Sequence, residues 1–241
     1  PTSRIYFVAS APHIVGAFPP APFNDPDFVG QADMNPLVYT NVVRALFRAL
    51  DAWVTDGKEP PANRFPRLSD GTLTTVEASG WPAIPGSARP KSPMTTYRLY
   101  FGPDWARGIV TVEPPKIGKA FVGRVPAVDE AGNDRAGIRL PEIAVPLATQ
   151  TGWNYRRPSI GAPDRLESEI GSYLPLPKTR AERDRTGDGR KSIEERYASK
   201  EDYLGRISLA ALSLVDEGYL LAEDVPDVVR RAAAHYEWAT K

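Results

Sequence analysis

Two histidines, a set of scattered carboxylates and no cysteine make up the chain's stock of reactive side chains. His13 is the first candidate for chemistry. It follows the apolar run Ile5-Tyr-Phe-Val-Ala9 across a short Ser10-Ala-Pro12 turn. A histidine titrates near neutral pH and is the usual general base. A histidine just past the end of a buried strand also suits the last member of a Ser–acid–His triad. The competing reading of His13 is a loop side chain packed against proline. His235 lies on an amphipathic C-terminal stretch with Val228, Ala232 and Trp238, and a packing role is the expectation there.

A triad needs a nucleophile, and the Gly-x-Ser-x-Gly elbow that exposes one on a strained strand-to-helix turn does not occur. Gly86-Ser87, Ser159-Ile-Gly161 and Gly171-Ser172 fail the spacing. If His13 is a triad base, its serine belongs to another polypeptide. Asp184-x-Thr-x-Asp188-Gly-x-x-Ser192-x-x-Glu195 places oxygen ligands as a calcium loop does. Lys191 occupies the position that should be apolar, and Ser192-Ile-Glu-Glu195 already reads as a helix capping box. No metal and no cofactor are therefore expected. Glu113, Glu142, Asp129 and Asp134 sit near expected strand ends, where solvated turns are the default for the aspartates. Trp153 and Asn154 offer an aromatic wall and an amide donor for a substrate pocket, with core anchoring as the alternative.

The elements that must position these groups follow from periodicity. Ile5 to Ala9 is an unbroken apolar run and reads as a strand buried on both faces of an α/β sheet. A long Pro-, Phe- and Asp-rich loop runs from Ile14 to Met34. Tyr39 to Asp56 reads as a helix with Val42, Val43, Leu46, Phe47, Leu50, Trp53 and Val54 on its apolar face, stopped by Gly57 and Pro60-Pro61. Short strands are expected at Leu73–Glu77, Tyr97–Phe101, Ile109–Glu113, Phe121–Val128 and Gly137–Leu140, with a hairpin loop at Asp129–Asn133. The final third is helical, with amphipathic stretches at Tyr203–Glu217 and Val225–Trp238. Three regions result: 1–57 as strand, histidine loop and helix; 58–175 as a Pro-rich, β-containing extension; and 176–241 as a helical segment. The last two are expected to pack on the same domain.

Bulk properties bound the rest. The chain has 241 residues, enough for a substantial core. Thirty basic residues balance thirty acidic ones, so nucleic acid is not an expected partner. No apolar run reaches the length of a membrane span. The absence of cysteine removes disulfides, thiolate metal sites and a cysteine nucleophile, and it leaves the compartment open. Twenty-five prolines suggest long ordered loops and short strands. There is no signal-peptide pattern and no initiator Met, and the chain begins close to an expected core strand. Pro1 is therefore expected to arise by processing or from a fragment.

Several words of the sequence, taken in order, carry a resemblance. They are the Ile5–Ala9 run with His13, Asn35-Pro36-Leu37, and Leu50-Asp-Ala-Trp-Val-Thr-Asp-Gly57. Then come Arg64-Phe-Pro-Arg-Leu-Ser-Asp-Gly-Thr72, Trp81-Pro-Ala-Ile-Pro-Gly86, Val128-Asp-Glu-Ala-Gly-Asn133 and Ala136-Gly-Ile-Arg-Leu-Pro141. Val145-Pro-Leu-Ala148, Thr151-Gly-Trp-Asn154 and Ser192-Ile-Glu-Glu-Arg-Tyr197 complete the series, which covers most of the chain. This series resembles the C-terminal part of bacterial alpha/beta hydrolase domain-containing proteins. The resemblance implies an α/β fold, namely the last core strand and helix of an α/β-hydrolase sheet with a β-rich, Pro-rich extension and C-terminal helices. It implies that His13 is the triad histidine and that the serine and the acid lie on an N-terminal polypeptide of the same precursor. Asp25, Asp27 and Asp33 follow His13 and so have the wrong chain order for the acid. Ile14-Val15-Gly16 departs from the glycines that family members carry after the histidine. The implied activity is that of a serine esterase acting on a small-molecule ester, in a periplasmic or extracellular location. A non-catalytic binding or structural module is the rival reading, and a hydrolase fold that has lost its catalysis is a third.

Overall fold

A computed structural model describes residues 2–22, 29–87, 95–167 and 169–241. In chain order its regular elements are β1 (Asp33–Met34), α1 (Thr40–Asp56), β2 (Leu73–Thr74), β3 (Tyr97–Tyr100), β4 (Lys116–Ala120) and β5 (Val125–Pro126). Then come α2 (Pro141–Ala144), β6 (Ala148–Gln150), β7 (Asn154–Tyr155), β8 (Leu166–Glu167), β9 (Ser172–Pro175), α3 (Arg180–Thr186), α4 (Ile193–Arg196), α5 (Lys200–Asp216) and α6 (Val225–Thr240). The fold mixes helices with small sheets. Among the described residues the largest sheet has three antiparallel strands in the order β1-β9-β6, and the others are two-stranded. Proline explains the short strands, because it lacks the N–H that a ladder needs. Pro126 and Pro175 each stand at a strand's last residue.

The Ile5–Ala9 run is an extended segment held by single parallel bridges on both sides. Phe7 N–H donates to the Arg64 carbonyl at 2.9 Å, and Ile138 N–H donates to the Phe7 carbonyl at 2.7 Å. Burial on both faces is not realised. Ile5 is exposed, Tyr6 to Val8 are half-buried, and only Ala9 is fully covered. Continuous apolar character reports a strand's potential to be covered, and here the segment has neighbours at its edges without full layers above and below.

The predicted helix α1 forms and ends at Gly57, whose positive φ of 69° suits a residue without a Cβ. Its apolar residues divide between two faces. Val42 and Ala45 are buried, whereas Val43, Phe47, Leu50 and Val54 point outward, with Val54 78 % exposed. The expected strand at Ile109–Glu113 is irregular, and Lys116–Ala120 pairs with Tyr97–Tyr100 in its place.

The C-terminal helices behave as patterned. Ser192 and Glu195 form the reciprocal capping box, and Ser199 caps α5 by accepting the Asp202 N–H. Tyr203, Ile207, Ala211 and Leu214 line the buried side of α5, and Val228, Ala232, His235 and Ala239 that of α6. One apolar cluster joins these residues, His235 apart, to Ala9, Val42, Ile138, Leu140, Ile143 and Leu147. A buried ion pair ties the C-terminal segment to the three-stranded sheet. Arg190, 2 % exposed, bonds Asp188 and donates to the carbonyls of Leu174 and Pro175 and to Thr149 Oγ1. No helix among the described residues is long and apolar enough to cross a membrane.

Candidate functional site

The Ile5–Ala9 segment ends in a turn whose first residue, Ser10, has φ of 58°. A serine rarely adopts that conformation, and it persists only where the surroundings enforce it. The surroundings are specific. Ser10 N–H donates to Asp134 Oδ2 at 2.7 Å, and Asp134 N–H returns a bond to Ser10 Oγ at 3.0 Å. The Ser10 carbonyl accepts from the Asn35 side-chain amide at 2.8 Å. Asn35 is fully buried. It also donates to the Thr151 carbonyl at 2.9 Å and accepts the Leu37 N–H at 3.0 Å. Both backbone polar groups of Ser10 are thus held by side chains from distant segments.

This turn carries His13 to the surface. The His13 side chain is exposed, its carbonyl accepts from the Tyr39 hydroxyl at 3.1 Å, and the next residue, Ile14, donates its N–H to the Glu169 carbonyl at 2.8 Å. The backbone on both sides of the imidazole is therefore fixed while the ring faces outward.

Beneath the turn lies a cavity of about 370 Å³. Phe7, Ser10 and Ala11 form one wall, and Trp81 and Trp153 form another. The two indoles are tilted against each other with centroids 5.4 Å apart. Gly152 brings the segment before Trp153 close to the turn, since a Cβ there would stand 2.6 Å from the Ala11 carbonyl oxygen. Besides Ser10, the few polar residues lining this apolar pocket are Asp134, Gln150, Thr151 and Ser79. Asp134 is not the solvated turn residue expected from its position. Burial pushes its carboxyl up to about 6, against the lowering effect of the Ser10 N–H, with nearby Asp129 adding to the rise. A carboxyl that titrates near neutrality in a cleft is a candidate for acid–base work.

The expected substrate-binding residues part company. Trp153 lines the cavity. The Asn154 amide is used internally. It donates to the carbonyls of Ala32 and Gly171 and accepts the Ala32 N–H, so it fastens three segments together. Among the other flagged carboxylates, Asp129 pairs with Arg139, and burial raises the Glu142 carboxyl. Asp184 pairs with Arg180 and Arg183, and Asp188 with Arg190, so the ligand positions of the calcium-loop pattern serve ion pairs and a cap. Asp33 sits in β1, and Asp25 and Asp27 lie outside the described residues.

His235 is buried against Tyr173, Phe18 and Trp238. Burial lowers its imidazole to about 4 and raises the Tyr173 phenol, so both groups are neutral where Nε2 and the Tyr173 hydroxyl share a hydrogen bond of 2.6 Å. Asn35 and Asp134 are the residues whose importance local sequence did not disclose. Their partners lie far along the chain.

Comparison with protein-family models finds one described as "Alpha/beta hydrolase domain", which matches residues 1–230. No curated protein and no solved structure matches the chain.

Proposed function

The chain belongs to the alpha/beta hydrolase domain family, which carries hydrolase-type activity, and on that footing we propose that it is the histidine-bearing part of a serine esterase. His13 is the triad base. The nucleophilic serine and the acid lie on an N-terminal companion polypeptide. The serine oxygen attacks the ester carbonyl as His13 takes its proton, and the imidazolium then protonates the leaving alcohol. Water repeats the cycle on the acyl-enzyme. Backbone N–H groups of the companion would stabilise the oxyanion.

In this reading the cavity beneath the turn receives an apolar part of the ester against Trp81 and Trp153. Asp134 and Asn35 act as positioning residues that hold the turn presenting His13. The observation that carries the reading is that arrangement: an exposed imidazole three residues beyond Ser10, whose backbone is locked by two distant side chains and which, with Ala11, lines an apolar pocket. An exposed surface histidine with no such support would have argued the other way.

The test is labelling with a fluorophosphonate probe after co-expression with the companion polypeptide. A labelled companion serine, with labelling lost in His13→Ala and the complex still folded, is the expected result. Equal labelling in His13→Ala would overturn the role of the histidine. A second reading, a non-catalytic binding module, draws on the tryptophan-walled pocket itself. It predicts a well-folded complex that never labels yet still quenches Trp153 fluorescence on adding apolar esters.

A further inference from the structure

The segment from 95 to 124 is an arm with apolar surface on the outside. β3 and β4 pair only with each other among the described residues, and every residue of both strands is exposed. A lone two-stranded hairpin is marginally stable in water, and an apolar one leaves an uncovered patch that signals a contact. Leu99 and Ile117 are directly paired and so share a face, with Ile117 72 % exposed. Tyr100 is paired with Lys116, and the Arg98 guanidinium lies 5.5 Å from the Phe121 ring centre. Beyond the strands, Phe101 and Trp105 stack at 4.6 Å, and Trp105, Ile109 and Val110 are all exposed.

Charge distinguishes the arm from the rest of the chain. Residues 95–124 hold five basic side chains (Arg98, Arg107, Lys116, Lys119 and Arg124) against two acidic ones (Asp104 and Glu113), in a chain whose net charge is zero. Aromatic rings beside lysines and arginines, with exposed aliphatics, match the boundary between lipid headgroups and hydrocarbon. A protein interface core, by contrast, is depleted in lysine.

We propose that this arm docks the protein on an anionic lipid surface, with Trp105, Ile109, Val110 and Ile117 entering the headgroup boundary and the five cations facing lipid phosphates. The contact is peripheral.

The experiment is co-sedimentation of the full chain with vesicles of phosphatidylcholine alone and of phosphatidylcholine containing about a third phosphatidylglycerol, at low and high salt. Binding to the anionic vesicles that weakens in high salt is expected. Lys116→Gln and Lys119→Gln should each lower the partition coefficient about fivefold, and Trp105→Ser with Ile117→Ser should abolish it. Circular dichroism and a thermal melt check that each variant folds, and the two lysine variants, which alter exposed charge only, decide the matter if the double variant does not fold. No binding to anionic vesicles would overturn the proposal, as would binding unchanged by the lysine variants. Loss of a co-purifying protein partner from the double variant, with no vesicle binding by the parent chain, would assign the arm to a protein interface instead.

Discussion

Ser10 and Asp134, 124 residues apart in the chain, hold each other twice: backbone N–H to carboxylate in one direction, backbone N–H to hydroxyl in the other. The exchange fastens the turn that presents His13 to the hairpin loop that begins at Asp129. It also leaves a carboxyl in a poorly hydrated place, which is why its pKa is raised to about 6.

That rise has a definite sign. A carboxyl with a higher pKa folded than unfolded contributes stability that is complete below about pH 4 and is lost as pH rises to about 6. Asp134→Asn keeps an oxygen for the Ser10 N–H and removes the titration. Relative to the parent, this variant should gain stability between pH 4 and 6, by up to about 3 kcal/mol. Urea unfolding at a series of pH values measures it, and a constant difference across that range would refute the assignment.

His235 acts in the opposite sense. Its pKa falls on folding, from 6.5 to about 4, so its contribution is present near neutrality and is lost as pH drops through that window. His235→Gln retains a hydrogen-bonding group for the Tyr173 hydroxyl and should flatten the acid limb of the stability curve. The expected difference at pH 4 relative to pH 7 is about 3 kcal/mol. NMR titration of the His235 ring gives an independent reading, which a pKa near 6.5 would contradict.

Gly152→Ala tests the close approach beside the pocket. The new methyl would stand 2.6 Å from the Ala11 carbonyl oxygen, and backbone must move to admit it. A loss of about 1–3 kcal/mol is expected from such overpacking. If His13 is catalytic in the complex, probe labelling should also fall in this variant, through displacement of the turn. Unchanged stability by denaturant titration would show that the two segments are not as closely packed as described.

Arg190→Met should be among the most damaging single changes. It strands Asp188 in a buried site and releases the bonds to Thr149, Leu174 and Pro175. Removing one partner of a buried pair costs about 3–5 kcal/mol. Pairing it with Asp188→Leu, which removes the stranded charge, should recover part of the loss, and a double-mutant cycle measures how much.

Much of the helical framework is legible in sequence because its determinants are local. Gly57 stops α1, Ser192 and Glu195 cap α4, and the spacing of Tyr203, Ile207, Ala211 and Leu214 marks the inner side of α5. Periodicity cannot say whether an apolar face finds a partner, which is why Val42 and Phe47, assigned to one face, end up on opposite ones. It also mistakes Ile109–Glu113 for a strand, where the N–H groups of Thr111 and Val112 converge on one carbonyl, that of Phe101, in place of a ladder. The candidate site is the least legible part. Ser10 with Asp134, Asn35 with Thr151, and Trp81 with Trp153 are contacts between distant segments, and each residue taken alone reads as an ordinary turn or loop residue.

The single apolar cluster that seats Ala9 also contains Val228, Ala232 and Ala239. During synthesis, the first of these residues leaves the ribosome long before the last. At about 5–20 residues per second, the delay is on the order of ten to fifty seconds. Arg64 and Ile138, which bridge the Ile5–Ala9 segment, emerge earlier, so its backbone can be paired while Ala9 still waits for the cover that α6 completes.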